Sequence, residues 1–176
     1  MAQAAYAPAF DVELVTRRAE TQSGPTSVLD VYTAVPNSSL RFLARQGGFE
    51  ATYAVTVQVY ALNDQGQQQG LVVSRTFERD VAVVEFDETS DAEQEDRAIQ
   101  SLEVPTGRYA VEVAVEDGAS GRALSRQLGV VVRDVTGTEV TISDPLLLRA
   151  YDPAAGSSAP LVGATISPEI AQFWVS

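Results

Sequence analysis

Carboxylates are the residues in this chain whose spacing could do chemistry. Glu85, Asp87, Glu88, Asp91, Glu93, Glu95 and Asp96 crowd one short stretch. Oxygen ligands at Asp87, Asp91 and Glu93 form a candidate Ca²⁺ set, because hard cations select carboxylate oxygens. The stretch lacks the Asp-x-Asp-x-Asp-Gly spacing of an EF-hand, and no glycine makes its sharp turn. The competing reading is a solvated, mobile loop held open by like-charge repulsion. Two further pairs, Asp11 with Glu13 and Glu112 with Glu116, fall on single strand faces. A glycosidase needs one such acid held protonated in an apolar cleft. These pairs alternate with core positions and are expected to face solvent, so no catalytic residue is assigned.

Other chemistries are removed by composition. The chain has no histidine, no cysteine and no lysine; all 12 of its basic residues are arginine. A Ser-His-Asp triad, a thiol nucleophile, a Schiff base and a phosphate-loop lysine are therefore impossible. Zinc, copper and haem lose their usual ligands. No glycine-rich phosphate or dinucleotide fingerprint follows a strand, so no cofactor is expected. The 24 acids leave a net charge of −12, which disfavours nucleic acid and anionic membrane as partners. No apolar run is long enough to span a bilayer. The acidity reads as adaptation to brine or a GC-rich genome; a basic partner is the sharper alternative.

Period-two alternation positions these residues. Tyr109, Val111, Val113 and Val115 oppose Ala110, Glu112, Ala114 and Glu116. Val55, Val57 and Val59 alternate with Thr56, Gln58 and Tyr60. Turn signals at Pro36-Asn37-Ser38-Ser39, Gln46-Gly47-Gly48, Asn63-Asp64-Gln65-Gly66 and Asp117-Gly118 separate the runs. The spacing predicts strands at 9–17, 27–35, 40–46, 49–63, 70–84, 97–104, 108–116, 122–134 and 139–142. A bulge or sheet switch is expected near Val81–Val84, where the apolar face changes side. One helical turn is expected within 90–97 and another at 167–169. The fold class is all-β: an antiparallel, immunoglobulin-like β-sandwich of about eight or nine strands. Pro105-Thr106-Gly107-Arg108-Tyr109 sharpens that reading, because Tyr109 sits where a tyrosine corner would fold its hydroxyl back onto upstream backbone. Residues 1–150 are expected to form the sandwich. Residues 151–176, opening on a proline-bearing run of small residues, are expected to be a linker and the start of a following domain.

Asp30-Val31-Tyr32, Pro36 and Leu40-Arg41-Phe42 resemble a signature of the GWxTD-domain bacterial proteins. So do Pro105 to Tyr109 followed by Val113, Val115 and Asp117, and the run Ile142-Ser143-Asp144-Pro145-Leu146-Leu147. The resemblance covers roughly residues 8 to 148. The Gly-Trp-x-Thr-Asp motif itself is missing; the one tryptophan is Trp174, followed by Val175. The resemblance implies a β-rich N-terminal part of a larger, often exported protein, and supplies no catalytic residue. Periplasmic or cell-envelope placement is the expectation it carries, with cytoplasmic placement the alternative and any export signal lying outside this chain. The function expected is a structural or protein-interaction module with an unknown protein partner. The alternative is a carbohydrate-binding module, for which an exposed, coplanar row of Tyr32, Tyr53 and Tyr60 would be the sign.

The net charge alone generates one measurable consequence. A surface of one sign repels itself, and unfolding spreads those charges. Salt shortens the screening length from about 30 Å at 0.01 M to about 3 Å at 1 M. Tm is expected to climb as KCl rises from about 0.05 M to about 2 M, in a scan cross-checked with urea. A level or falling Tm would show that attractive pairs dominate this surface.

Overall fold

The computed structural model describes residues 8–21 and 24–134, together with the backbone of 148–150 and 165–166. The chain divides into two units, Met1–Ile142 and Ser143–Ser176. The first is an all-β sandwich. Its first sheet contains β1 (Asp11–Thr21), β2 (Gly24–Pro36) and β6 (Glu95–Glu103), in the order β1-β2-β6. Its second contains β3 (Leu43–Arg45), β4 (Gly48–Leu62), β5 (Gln68–Val83), β7 (Gly107–Asp117) and β8 (Ala123–Val132). There the path runs β3-β4-β7-β8, and β5 pairs with β4. Every pairing is antiparallel.

The core follows from register. Val55, Val57 and Val59 of β4 stand directly opposite Val115, Val113 and Val111 of β7, and all six are fully buried. Directly opposed β-branched side chains interlock across the pleat, and each pair adds roughly 0.2–1 kcal/mol beyond its burial. Leu29, Val31 and Val35 of β2 face this ladder from the first sheet and are equally inaccessible. Phe10 joins the same cluster.

The turns are set by local chemistry. Between β3 and β4, Gly47 has φ 98° and Gly48 φ 156°, a region that side chains disfavour. A Cβ on Gly48 would lie 2.2 Å from the carbonyl oxygen of Val83, so only glycine permits β5 to close against this turn. Asn63 opens the next hairpin with an Asx turn, its Oδ1 accepting from the N–H groups of Gln65 and Gln67.

Two expectations are corrected here. The β4–β5 register is regular from Phe49↔Val83 to Val59↔Val73 and shifts after it, so the irregularity lies near Val72 and Gln69 instead of Val81–Val84. Arg75, Phe77, Arg79, Val81 and Val83 share one face, and the change of side at Val84 marks the strand's end. The helical turn lies at Phe86–Ser90, not within 90–97, where Glu95 already begins β6. The expected strand at 139–142 and turn at 167–169 lie outside the described residues. In the second unit, β9 (Leu148–Ala150) pairs antiparallel with β10 (Thr165–Ile166).

Tyr109, 4% exposed, donates its hydroxyl to the carbonyl of Pro105 at 2.7 Å. A Cβ on Gly107 would lie 3.0 Å from that hydroxyl, so a side chain there would press on the folded-back ring. Tyr109→Phe strands the Pro105 carbonyl, and the expected loss is about 1–3 kcal/mol in urea unfolding. An unchanged midpoint would mean that water replaces the phenol without loss.

Candidate functional site

The acidic stretch is tethered by hydrogen bonds of its own and of Asn37. Phe86–Ser90 forms a 3-10 turn with a capping box between Glu85 and Glu88. The Glu88 carboxylate accepts from the N–H groups of Val84, at 3.0 Å, and Glu85, at 2.9 Å. These backbone donors hold its pKa below the usual carboxylate value. Asp91 spends Oδ1 on the N–H of Glu93. The connection is tied down from across the sheet edge by Asn37, which is almost wholly buried. Its Nδ2 donates to the Glu88 carbonyl at 3.1 Å, its N–H donates to the Gln94 carbonyl, and the N–H of Ser38 reaches the Asp91 carbonyl. Asp87, Asp91 and Glu93 are not brought together as ligands: among the described residues, no three acidic side chains are placed to hold a metal ion.

Asp96 leaves this stretch altogether and enters the space between the sheets. Its Oδ2 accepts from the Tyr53 hydroxyl at 2.7 Å and from Arg79 Nε at 2.9 Å, while Oδ1 accepts from Arg79 Nη2 at 2.7 Å. Tyr53 lies on β4, Arg79 directly beside it on β5, and Asp96 on β6 of the facing sheet. Burial raises the Tyr53 pKa, and the bond to Asp96 raises it further. The phenol is thus a fixed donor, held protonated and unsuited to nucleophilic work. Hydrogen bonding to Asp96 likewise raises the Arg79 pKa.

Another carboxylate, Asp30 on β2, is fully inaccessible. Arg17 of β1 grips it through Nε and Nη2, and Ser101 of β6 donates to its Oδ1 at 2.6 Å. The group therefore staples all three strands of the first sheet. Asp117, at the end of β7, accepts from the backbone N–H of Arg41 at 2.8 Å and of Ser120 at 2.6 Å. Arg41 and Asp117, far apart in the chain, are thus joined directly.

The remaining candidates scatter. Asp11 pairs loosely with Arg126 at 3.9 Å. Glu13 is partly buried opposite Tyr32, and desolvation raises its pKa; full solvent exposure was the expectation for it. Glu112 and Glu116 lie on the outward face of the second sheet. Tyr32 and Tyr53 are buried, and Tyr60 is half-buried with its hydroxyl on Gln58. No coplanar exposed tyrosine row exists among them. Among the described residues the most exposed aromatic is Phe86, at 67%, its ring edge-on to Phe49 at 5.6 Å. Sequence reasoning missed the roles of Asn37 and Asp96, since each bond joins residues far apart in the chain. The chain matches no protein-family model and no curated protein.

The Glu88 cap has a pH signature. Its folded pKa is depressed, so the capping bonds are complete above the unfolded carboxylate value and are lost as pH falls through the lower, folded one. The amide resonances of Val84 and Glu85 are expected to titrate together with a midpoint below the reference 4.5, and Glu88→Gln is expected to abolish that step. A midpoint at or above the reference would show that the cap does not hold the charge.

Proposed function

We propose that this chain is a non-catalytic interaction module: an immunoglobulin-like sandwich from a larger, acidic cell-envelope protein related to the GWxTD-domain proteins. Four features support the reading. The strand order sets β1, β2 and β6 against β5, β4, β7 and β8, and Tyr109 bonds back to Pro105 at the start of β7; both accord with that sandwich class. Buried carboxylates are committed to structural bonds. The observation that carries the functional part is that β5 and β6 each pair on one side only among the described residues. Free strand edges are the common docking element of sandwiches.

The carbohydrate-binding alternative loses its main support, because its tyrosines are buried or half-buried. A salt-adapted source fits the lysine-free, acid-rich composition. The test combines two measurements. Native gels containing soluble polysaccharides are expected to leave the chain's mobility unchanged. Photo-crosslinkers placed one at a time over the surface, in the source cell, are expected to trap a discrete protein from at least one position. Retardation by a polysaccharide, with no protein adduct from any position, would overturn the proposal in favour of sugar binding.

A further inference from the structure

On the inward face of the second sheet, β4 is sealed: Tyr53, Val55, Val57 and Val59 are all fully buried. Its neighbour β5 presents Val73, Arg75, Phe77, Arg79 and Val81 to the same side, yet none of them is buried, and Arg75 is exposed. The reason is a mismatch in width. Among the described residues the first sheet has three strands and ends at β6, whose Asp96 reaches Tyr53 and Arg79. Among the described residues, no strand pairs with the outer edge of β6. The inward face of β5 therefore forms an open ledge beside a free edge.

The ledge has a readable pattern. Apolar side chains recur at Val73, Phe77 and Val81, with arginines between them. Arg79 already shows what fits such an arginine, since it grips a carboxylate from a strand of the opposite sheet. Arg75 repeats its position one apolar residue earlier. Its guanidinium makes a long contact, 3.3 Å, to the carbonyl of its neighbour Ser74, and no ion pair is formed by it among the described residues. In a chain with twice as many acids as arginines, a bare arginine between half-exposed apolar side chains is a local reversal of charge. The register shifts near Val72 and Gln69 end the regular ledge at Val73, so its length suits a strand of roughly nine residues.

We propose that this ledge receives an extended segment of a partner protein that alternates apolar and carboxylate side chains. The segment adds to the β6 edge, covers Val73, Phe77 and Val81, and places a carboxylate on Arg75 as Asp96 sits on Arg79. This site rests on the interaction-module reading and gives it a place and a partner chemistry.

The test uses the whole 176-residue chain and two fluorescein-labelled peptides of about eight residues, one alternating valine with glutamate and one valine with lysine. Anisotropy is measured at about 0.15 M salt, where the screening length of about 8 Å leaves local contacts intact. The glutamate peptide is expected to bind saturably, and Arg75→Glu to weaken it about tenfold or more, as loss of a charge-assisted contact requires. Arg75→Ala is expected to give a smaller loss and guards against misfolding of the charge-reversed variant. Arg108→Glu, on the outward face of the same sheet, is expected to have little effect. Peptide binding is also expected to slow amide exchange along β6.

Preference for the lysine peptide, indifference to Arg75, or equal loss on Arg108→Glu would overturn the proposal. So would a concentration-dependent dimer that Arg75→Glu dissolves, since it would put a second copy on the ledge. Failure of both peptides, while crosslinks form from other surface positions, would remove this site and leave the module reading standing.

Discussion

One carboxylate between two sheets organises this sandwich. The Asp96 oxygens collect a phenol from β4 and both arms of a guanidinium from β5. Valines facing valines specify burial but tolerate sliding, because one β-branched residue resembles the next along the ladder. A carboxylate that must meet Tyr53 and Arg79 together does not slide. Sliding would break all three bonds together, and a half-buried carboxylate stripped of its donors costs more than a mismatched pair of valines. Asp30 does the same within the first sheet, where Arg17 and Ser101 converge on it from either side. Uniqueness of packing in this protein is thus assigned to a few polar groups, and burial to the valines.

The same division explains what could be read from the sequence. Strand identity and the core face were legible, because Val55–Val59 and Val111–Val115 alternate without interruption and the turn residues are explicit. The position of Tyr109 was legible because its partner, Pro105, is four residues away. The acidic stretch was not. Its seven acids look equivalent in sequence, whereas in the fold Glu88 is a cap, Asp91 closes a turn and Asp96 is an inter-sheet tie. Those roles depend on Asn37, Tyr53 and Arg79, which no local pattern connects to them. The bulge was misplaced for a related reason: a charged residue on an inward face looks like a change of face until its partner on the other sheet is known.

Edge management follows from this layout. β5 is long and, among the described residues, pairs on one side only, a liability for uncontrolled association. It carries Arg75, Glu78, Arg79 and Asp80 through its middle and a register shift near each of Val72 and Gln69. Charges and twist discourage flat pairing of this edge with another apolar strand.

Asn37 has a bearing on how the protein can be made. Asn37-Ser38-Ser39 is an acceptor sequence for N-linked glycan. In the folded chain the amide nitrogen that would carry the sugar is donated to the Glu88 carbonyl and lies almost wholly out of reach. Production through a eukaryotic secretory route therefore becomes a race between the transferase and the closing of the connection between β5 and β6. A chain glycosylated first carries a branched sugar where Glu88 and Gln94 must dock, and the acidic connection is left without its anchor.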